Sequence, residues 1–260
     1  MSVVHRVLSP NESESTAAGR CALAIMTKVP RAGHVKTRLT PPLTPAESAA
    51  LNICFLRDTA AAIAGAGEKG QGIGCYTPVG EEAAYCDILP ASFQLIAQHD
   101  GSFGERLIGA VEDLLSVGFS AVCLIDSDSP TVPASAFAEA VNFLLQPNDR
   151  AVLGPSEDGG YYLIGMKQLH RNLFERIDWS TERVCEQTQE RAREANLDLH
   201  LLPPFYDVDD GATLHRLCDE LLESRKSGFQ PDSADGLLAR RLHTAEFLRH
   251  FPDRERLLFS

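Results

Sequence analysis

The chain alternates short runs of consecutive apolar residues with longer segments in which apolar positions recur every three or four residues. The short runs read as strands buried on both faces, and the longer segments as amphipathic helices. Residues 21–27 give the first buried strand, 72–76 the second and 93–97 the third. Residues 122–125, Val-Cys-Leu-Ile, are apolar without alternation and give a fourth. Residues 151–155 and 161–166 are two apolar runs separated by Ser156-Glu157-Asp158-Gly159-Gly160, and 197–203 alternates like a half-exposed strand. The helix expected over 45–64 has a signature at its start: Thr44 as cap, Pro45 in the first position, and Glu47 three residues after the cap. Leu51, Cys54, Phe55, Thr59 and Ala62 form its core face, with Arg57 and Asp58 on the flank. Further helices are expected over 81–88, from Phe103 to a cap at Gly118, over 134–145, briefly over 169–176, over 182–196 behind Ser180, and over 212–224. A Pro-Asp-Ser-Ala-Asp-Gly linker follows residue 230, then a basic helix-like tail carrying Leu237, Leu238, Leu242, Phe247, Leu248 and Phe251. That tail is expected to pack on the domain or on a second subunit, which would make a homodimer. Strand-helix alternation of this kind predicts an α/β fold with its ligand site at the carboxyl ends of the strands.

Composition narrows the function classes. The chain has 260 residues, 44% hydrophobic and 23% charged, which fits one large α/β domain or two small ones. Its net charge of -12 argues against a nucleic-acid or anionic-membrane surface, because both require basic patches. No apolar run approaches the length of a membrane span, and residues 1–19 lack the apolar core of a secretory signal. Residues 11–16 are polar and read as mobile. The seven cysteines are scattered without a Cys-x-x-Cys pair, and Cys21, Cys75 and Cys123 sit in apolar runs as buried thiols. These features place the chain in the cytoplasm.

Candidate chemistry concentrates at four places. The fourth strand ends in Asp126-Ser127-Asp128-Ser129-Pro130, two carboxylates one residue apart at a strand end. Such a pair resists desolvation unless a positive group joins it. A Mg²⁺ or Mn²⁺ ion that also binds substrate phosphates would serve. The competing reading is a strand-end turn in which Asp126 or Asp128 caps the next helix. After the first strand comes Lys28-Val29-Pro30-Arg31-Ala32-Gly33-His34-Val35-Lys36-Thr37-Arg38-Leu39, a basic loop in an acidic protein. It would grip phosphate, with Lys36 and Arg38 facing one ligand, or else be a solvated loop. It lacks the glycine spacing of both the Walker A loop and the dinucleotide fingerprint. In the break between the two apolar runs, Asp158-Gly159-Gly160 reads either as a hairpin turn or as a close approach of backbone to substrate. In the second case Asp158 binds a hydroxyl or acts as base. Last, Asp207-Val208-Asp209-Asp210-Gly211 is a second acidic cluster opening a helix. It lacks the distal Glu of a calcium-binding helix-loop-helix. Arg106 lies where it can reach toward the strand ends, and His99 reads as a bystander in a polar loop.

Taken together these stretches resemble a bacterial family of nucleotide-diphospho-sugar-transferase-like proteins (DUF2064), also labelled glycosyltransferase or radical-SAM/selenodomain-associated transferase 1. The matching stretches are Lys28-x-Pro-x-x-Gly33-x-x-Lys36-Thr37-Arg38-Leu39, Gly104-Glu105-Arg106 and Ser127-Asp128-Ser129-Pro130. They continue with Gly154-Pro155-x-x-Asp158-Gly159-Gly160-Tyr161-Tyr162-Leu163-Ile164-Gly165, Trp179-Ser180-Thr181 and Asp207-Val208-Asp209. The resemblance runs over about residues 21–217 and implies a GT-A fold, a Rossmann-like mixed sheet with helices on both faces. It implies that Asp128 is the metal-side aspartate, that Asp209 is a second acidic residue near the metal, and that the Lys36/Arg38 loop cradles the nucleotide. Family members commonly carry a small residue where this chain has Asp126.

The site residues expected from both lines are therefore Asp126, Asp128 and Asp209 for metal, and Lys28, Gly33, Lys36, Thr37, Arg38 and Arg106 for nucleotide phosphates. Asp158, Gly159, Gly160 and Tyr161 are expected for substrate, and Asp158, Lys36 and Arg38 for catalysis. Residues 1–20 are expected as a flexible tail, 21–228 as the transferase domain and 229–260 as a helical extension. The expected activity is glycosyl transfer from a nucleotide-diphospho-sugar to a small acceptor. The alternative is nucleotidyl transfer to a phosphate or phosphonate acceptor, favoured by a Lys-Thr-Arg-Leu run like that of 2-phospholactate guanylyltransferases. A non-catalytic nucleotide-binding protein or a structural calcium site are the remaining readings.

Overall fold

Seven strands form the sheet in the order β3-β2-β1-β4-β6-β5-β7. They are β1 (Cys21–Lys28), β2 (Gly70–Thr77), β3 (Gln94–Ala97), β4 (Ala121–Ile125), β5 (Ala151–Pro155), β6 (Tyr161–Met166) and β7 (Leu199–Leu201). The computed structural model describes residues 3–222 and 242–251. The expected linker after residue 230, and Leu237 and Leu238 of the tail, lie outside them. Strand β1 pairs in parallel with β2 and β4, and β2 with β3. Strand β6 runs antiparallel to both β4 and β5, and β5 is parallel to β7. Only β6 is reversed, so the carboxyl ends of the other six strands and the start of β6 share one edge. That geometry explains why the sequence places its charged stretches immediately after strands.

Both faces of the sheet are covered, which is why β1 is apolar from Cys21 to Met26 and β4 at every position. On one face Leu23, Ile25 and Cys123 meet Leu56, Ala60 and Ile63 of α1 (Pro45–Ala64) and Phe137, Ala140 and Val141 of α3 (Ala134–Leu144). On the other, Ala22, Ala24 and Leu124 meet Leu107, Val111 and Leu114 of α2 (Phe103–Val117), with Ala192 of α4 (Val184–Glu194) alongside. Helix α1 begins with the expected capping box: the Thr44 hydroxyl accepts from the Glu47 N–H, and the Glu47 carboxylate accepts from the Thr44 N–H. A third cluster joins Leu39 and Leu43, Leu51 and Phe55 of α1, Tyr206 and Val208, Leu214 and Leu217 of α5 (Gly211–Leu222), and Ala245 and Leu248 of α6 (His243–Arg249). It fixes the basic loop at Leu39 and the second acidic cluster at Val208.

Several expectations need correction. Residues 81–88 form only a short 3-10 turn, Glu82–Tyr85, because the fully buried Tyr85 anchors the segment to the core. Residues 169–176 likewise reduce to a 3-10 turn, Arg171–Phe174. Helix α4 starts at Val184 behind Arg183, and Ser180 sits at φ 64° in the preceding loop, so it caps nothing. Residues 3–20 do not hang free as a tail: the His5 ring nitrogens lie 3.0 Å and 3.1 Å from the carbonyls of Phe93 and Tyr85, and the Leu8 N–H donates to the Leu95 carbonyl. Asp58, expected on a flank, is buried and accepts from the His243 and Thr244 N–H groups, capping α6. The described part of the tail thus packs on its own chain, with Leu248 fully buried. The seven cysteines are all free. No helix among the described residues is long and apolar enough to cross a membrane.

Candidate functional site

A cavity of about 760 Å³ opens at the carboxyl edge of the sheet. Its walls come from the ends of β1 and β2, the segments following β1, β3, β4, β5 and β7, the start of β6, the first turn of α2, Asn52 of α1, and residues 179–182 with Val184 at the start of α4. Lys36 lies in its wall. The Lys36 ammonium donates to Asp128 Oδ1 at 2.8 Å, to Asp209 Oδ1 at 2.8 Å and to the Val208 carbonyl at 2.7 Å. Three N–H donors meet three oxygens, so the cation is fully satisfied. The side chain is 5% exposed, and Nζ lies 5.6 Å from the centroid of the Phe55 ring. Burial alone would push the ammonium pKa down. The charges and hydrogen bonds of Asp128 and Asp209 outweigh burial together, and the pKa is raised.

The two acidic clusters are brought together through the backbone. The Val208 N–H donates to the Asp128 carbonyl at 2.9 Å, so the segment after β7 docks beside the end of β4. The Asp209 N–H donates to the Thr213 hydroxyl, which ties this segment to the first turn of α5. Lys36 adopts a left-handed backbone, φ 48°, just before the 3-10 turn Thr37–Leu39. The buried Leu39 holds that turn in place.

Asp126 and Asp128 divide their work. Asp126 Oδ1 accepts from the Asp128 N–H at 3.3 Å, and its Oδ2 from the Ser129 hydroxyl at 2.8 Å. Both oxygens are thereby used within one turn, which matches the strand-end reading for this residue. Burial first, then the neighbouring Asp128 charge, push the Asp126 carboxyl up to about 8. Neither aspartate caps α3, which begins behind Pro133. Asp158 Oδ1 accepts from the Gly160 N–H at 2.8 Å. Asp207 accepts from the Ser156 hydroxyl at 3.0 Å, and burial, then Asp158 and Asp209, raise its pKa.

Most of the expected residues meet in this cavity. Lys28, Thr37, Arg38 and Arg106 line it with Lys36, and so do Asp126, Asp128, Asp158, Gly160, Tyr161 and Asp209. Lys36 and Arg38 both line the cavity but differ in setting: Lys36 is turned inward onto the carboxylates, whereas Arg38 is exposed. Two residues fall outside the lining. Gly33 has φ +76° and open space around it. Gly159 has φ +91°, and a Cβ there would lie 2.0 Å from the Glu182 carbonyl oxygen. The close approach it permits is to the chain's own backbone, not to substrate. Sequence reasoning named Asp207, Ser156 and Trp179 without giving them a site role, and passed over the Gln98 amide that donates to the Thr27 and Cys75 carbonyls; the Trp179 ring lies 5.1 Å from that of Phe103. Gln98 follows β3, so its place at a strand end was the available signal.

A metal can be weighed from the donor set. Among the described residues no three His, Cys, Asp or Glu side chains gather into a ready-made metal site. Yet three hard oxygens, from Asp128, Asp209 and Val208, already surround a cation, the Lys36 ammonium. Two carboxylates completed by phosphate oxygens suit Mg²⁺ or Mn²⁺. Asp128 and Asp209 fit that role, while Asp126 already accepts two hydrogen bonds within its own turn.

Comparison with known proteins agrees with this picture at the level of fold. Residues 61–181 match the family described as "Uncharacterized protein conserved in bacteria (DUF2064)". The resemblance read from the sequence is borne out over that span, which includes Asp126 to Pro130 and the Asp158-Gly159-Gly160 turn, while the basic loop and Asp209 lie outside it. No curated protein matches the sequence significantly. A crystal structure from Desulfovibrio desulfuricans G20, provisionally described as a nucleotide-diphospho-sugar transferase, is 28% identical. It covers 92% of this chain and 97% of its own, with a TM-score of 0.76. A nucleotidyl transferase from Methanothermobacter thermautotroptrophicus is 13% identical over 78% of this chain and 97% of its own, with a TM-score of 0.52, a likeness of fold alone. The fold is the Rossmann-like mixed sheet of the GT-A class.

Proposed function

We propose that this chain is a metal-dependent transferase acting on a nucleotide-activated donor, and that it transfers a glycosyl group from a nucleotide-diphospho-sugar to a small acceptor. The observation that carries the reading is the convergence, in one cavity at the strand ends, of Lys36 with Asp128 and Asp209, ringed by the further cations Lys28, Arg38 and Arg106. Repelling carboxylates gathered around a buried cation suit a site built for a charged diphosphate. In this reading Lys28, Lys36, Thr37 and Arg38 bind the diphosphate, and their charges stabilise the departing nucleoside diphosphate. Asp128 and Asp209 would hold Mg²⁺ or Mn²⁺, which supplies further neutralisation of that leaving group when bound. Asp158 takes the proton of the acceptor hydroxyl, held in place by the Gly160 N–H. Gly160 and Tyr161 contribute the adjoining wall on which the acceptor lies. The donor and the acceptor are both small molecules, and the site is read as cytoplasmic.

Nucleotidyl transfer is the second reading, and one observation favours it. Arg106 has no carboxylate partner among the described residues, and its Nε is buried without a hydrogen bond. A guanidinium without a carboxylate partner, lying 5.5 Å from the centroid of the Phe103 ring, suits an anionic acceptor such as a phosphate or phosphonate, which needs no base.

A thermal-shift screen of nucleotides and sugar nucleotides with and without Mn²⁺ tests the common premise. Asp128→Ala should abolish metal-dependent nucleotide binding while leaving the fold intact, since Lys36 keeps Asp209 and the Val208 carbonyl. Unchanged affinity in that variant would remove Asp128 from the site. Consumption of a sugar nucleotide supports the first reading. Pyrophosphate release from a nucleoside triphosphate with a phosphorylated acceptor supports the second.

A further inference from the structure

The place a divalent cation would take is held by Lys36. Its ammonium lies within 2.8 Å of one oxygen each from Asp128, Asp209 and Val208. A metal bound through the same Asp128 and Asp209 Oδ1 atoms would have to take the place of the ammonium. Two cations cannot share that gap, because nothing between them screens their repulsion.

Lys36 can leave without unmaking the core. The loop that carries it is fastened at Val29, 4% exposed, and at Leu39, fully buried, while residues 31–34, 37 and 38 between these anchors are exposed. The exposed Lys28 and Arg38 line the same cavity, so a diphosphate drawn in by them would offer Lys36 new oxygens as it left the old ones. Lys36 as it stands leaves one net negative charge on the trio it forms with Asp128 and Asp209. Exchange for a divalent cation removes that charge, and the phosphate oxygens then hold both cations apart.

We propose that Lys36 is a built-in placeholder for the metal, so that the site takes up a divalent cation only together with a diphosphate and accepts the metal chelate of a nucleotide as its ligand, not the free ion. The inference rests on the proposed function for the assignment of Asp128 and Asp209, and goes beyond it in fixing the order of binding and the form of the ligand.

The test uses the full chain with Mn²⁺ alone and with Mn²⁺ plus inorganic pyrophosphate, binding being followed by electron paramagnetic resonance and calorimetry. Wild type should bind Mn²⁺ alone at least tenfold more weakly than Lys36→Met, in which the carboxylates are released. Pyrophosphate should tighten Mn²⁺ binding by wild type at least tenfold, and by Lys36→Met much less. If wild type binds Mn²⁺ alone within twofold of Lys36→Met, the placeholder role is overturned. The pyrophosphate effect on wild type needs no variant, so its absence overturns the proposal even if Lys36→Met does not fold. The double variant Lys36→Met/Asp128→Asn separates this inference from its premise. Undiminished Mn²⁺ binding there would reject the metal site itself. Binding that is lost there, yet equal in wild type and Lys36→Met, would reject only the placeholder.

Discussion

The adjacent glycines Gly159 and Gly160 should respond in opposite ways to the same substitution. A Cβ at Gly159 would lie 2.0 Å from the Glu182 carbonyl oxygen and 2.5 Å from its carbonyl carbon and Cα, all backbone atoms that cannot rotate away. The residue also has φ +91°, a conformation that side chains disfavour. The strain contributes about 1–2 kcal/mol and the forced displacement about 1–3 kcal/mol. Gly159→Ala should therefore lose roughly 2–5 kcal/mol, a large share of a total stability of about 5–15 kcal/mol. At Gly160 the nearest atom is Asp158 Oδ1 at 3.1 Å, the end of a side chain that can turn. Its backbone is outside the left-handed region, so alanine there even gains about 0.4–1 kcal/mol by restricting the unfolded chain. Gly160→Ala should stay within about 1 kcal/mol of wild type while displacing the Asp158 carboxylate. Urea unfolding, with midpoint and slope compared across the variants, reads both effects. A loss below about 1 kcal/mol for Gly159→Ala, or equal losses for the two variants, would refute the assignment of Gly159 to backbone packing.

Further outcomes can be stated. Leu39→Ala should cost about 2–5 kcal/mol by calorimetry, since the side chain is fully buried. The same variant should weaken pyrophosphate binding, because Leu39 anchors the loop bearing Lys36, and intact binding would disconnect the two. Asp158→Asn should lower turnover about 10²-fold or more with donor affinity unchanged, and a parallel loss of donor affinity would make Asp158 a binding group instead. Burial, only partly countered by the Thr244 and His243 hydrogen bonds, raises the Asp58 pKa. The folded chain then holds this proton more tightly than the unfolded chain. Asp58 thus lends stability below its unfolded pKa of about 3.9, and the contribution is lost as pH rises through the folded value. The stability of wild type relative to Asp58→Asn should fall from pH 4 toward pH 7, and a difference that grows with pH would reverse the assignment.

What the sequence made legible was local. The capping box at Thr44 and Glu47, the unalternating apolar runs and the acidic ends of strands are short-range patterns, and the structure keeps each of them. The segment at 81–88 misled because Glu, Ala and Tyr favour helix, yet so short a stretch cannot sustain one, and the buried Tyr85 dictates its path. The site was legible as a set of stations but not as an arrangement. Lys36 is 173 residues from Asp209, and nothing near either announces that the lysine turns inward while Arg38 stays out. Asp58 under α6 and Gly159 against Glu182 are hidden for the same reason: each is decided by a distant backbone segment that sequence periodicity does not encode.

The bond from the Val208 N–H to the Asp128 carbonyl also bears on how the protein comes to exist. As the chain leaves the ribosome, Lys36 and Asp128 emerge long before Val208 and Asp209. Until those later residues arrive, the lysine lacks two of its three oxygen partners, and the pocket has no floor on that side. A chain halted before residue 208 would lack the Val208 carbonyl and the Asp209 carboxylate that hold Lys36, so the site is completed only by residues near the end of the sheet-forming sequence.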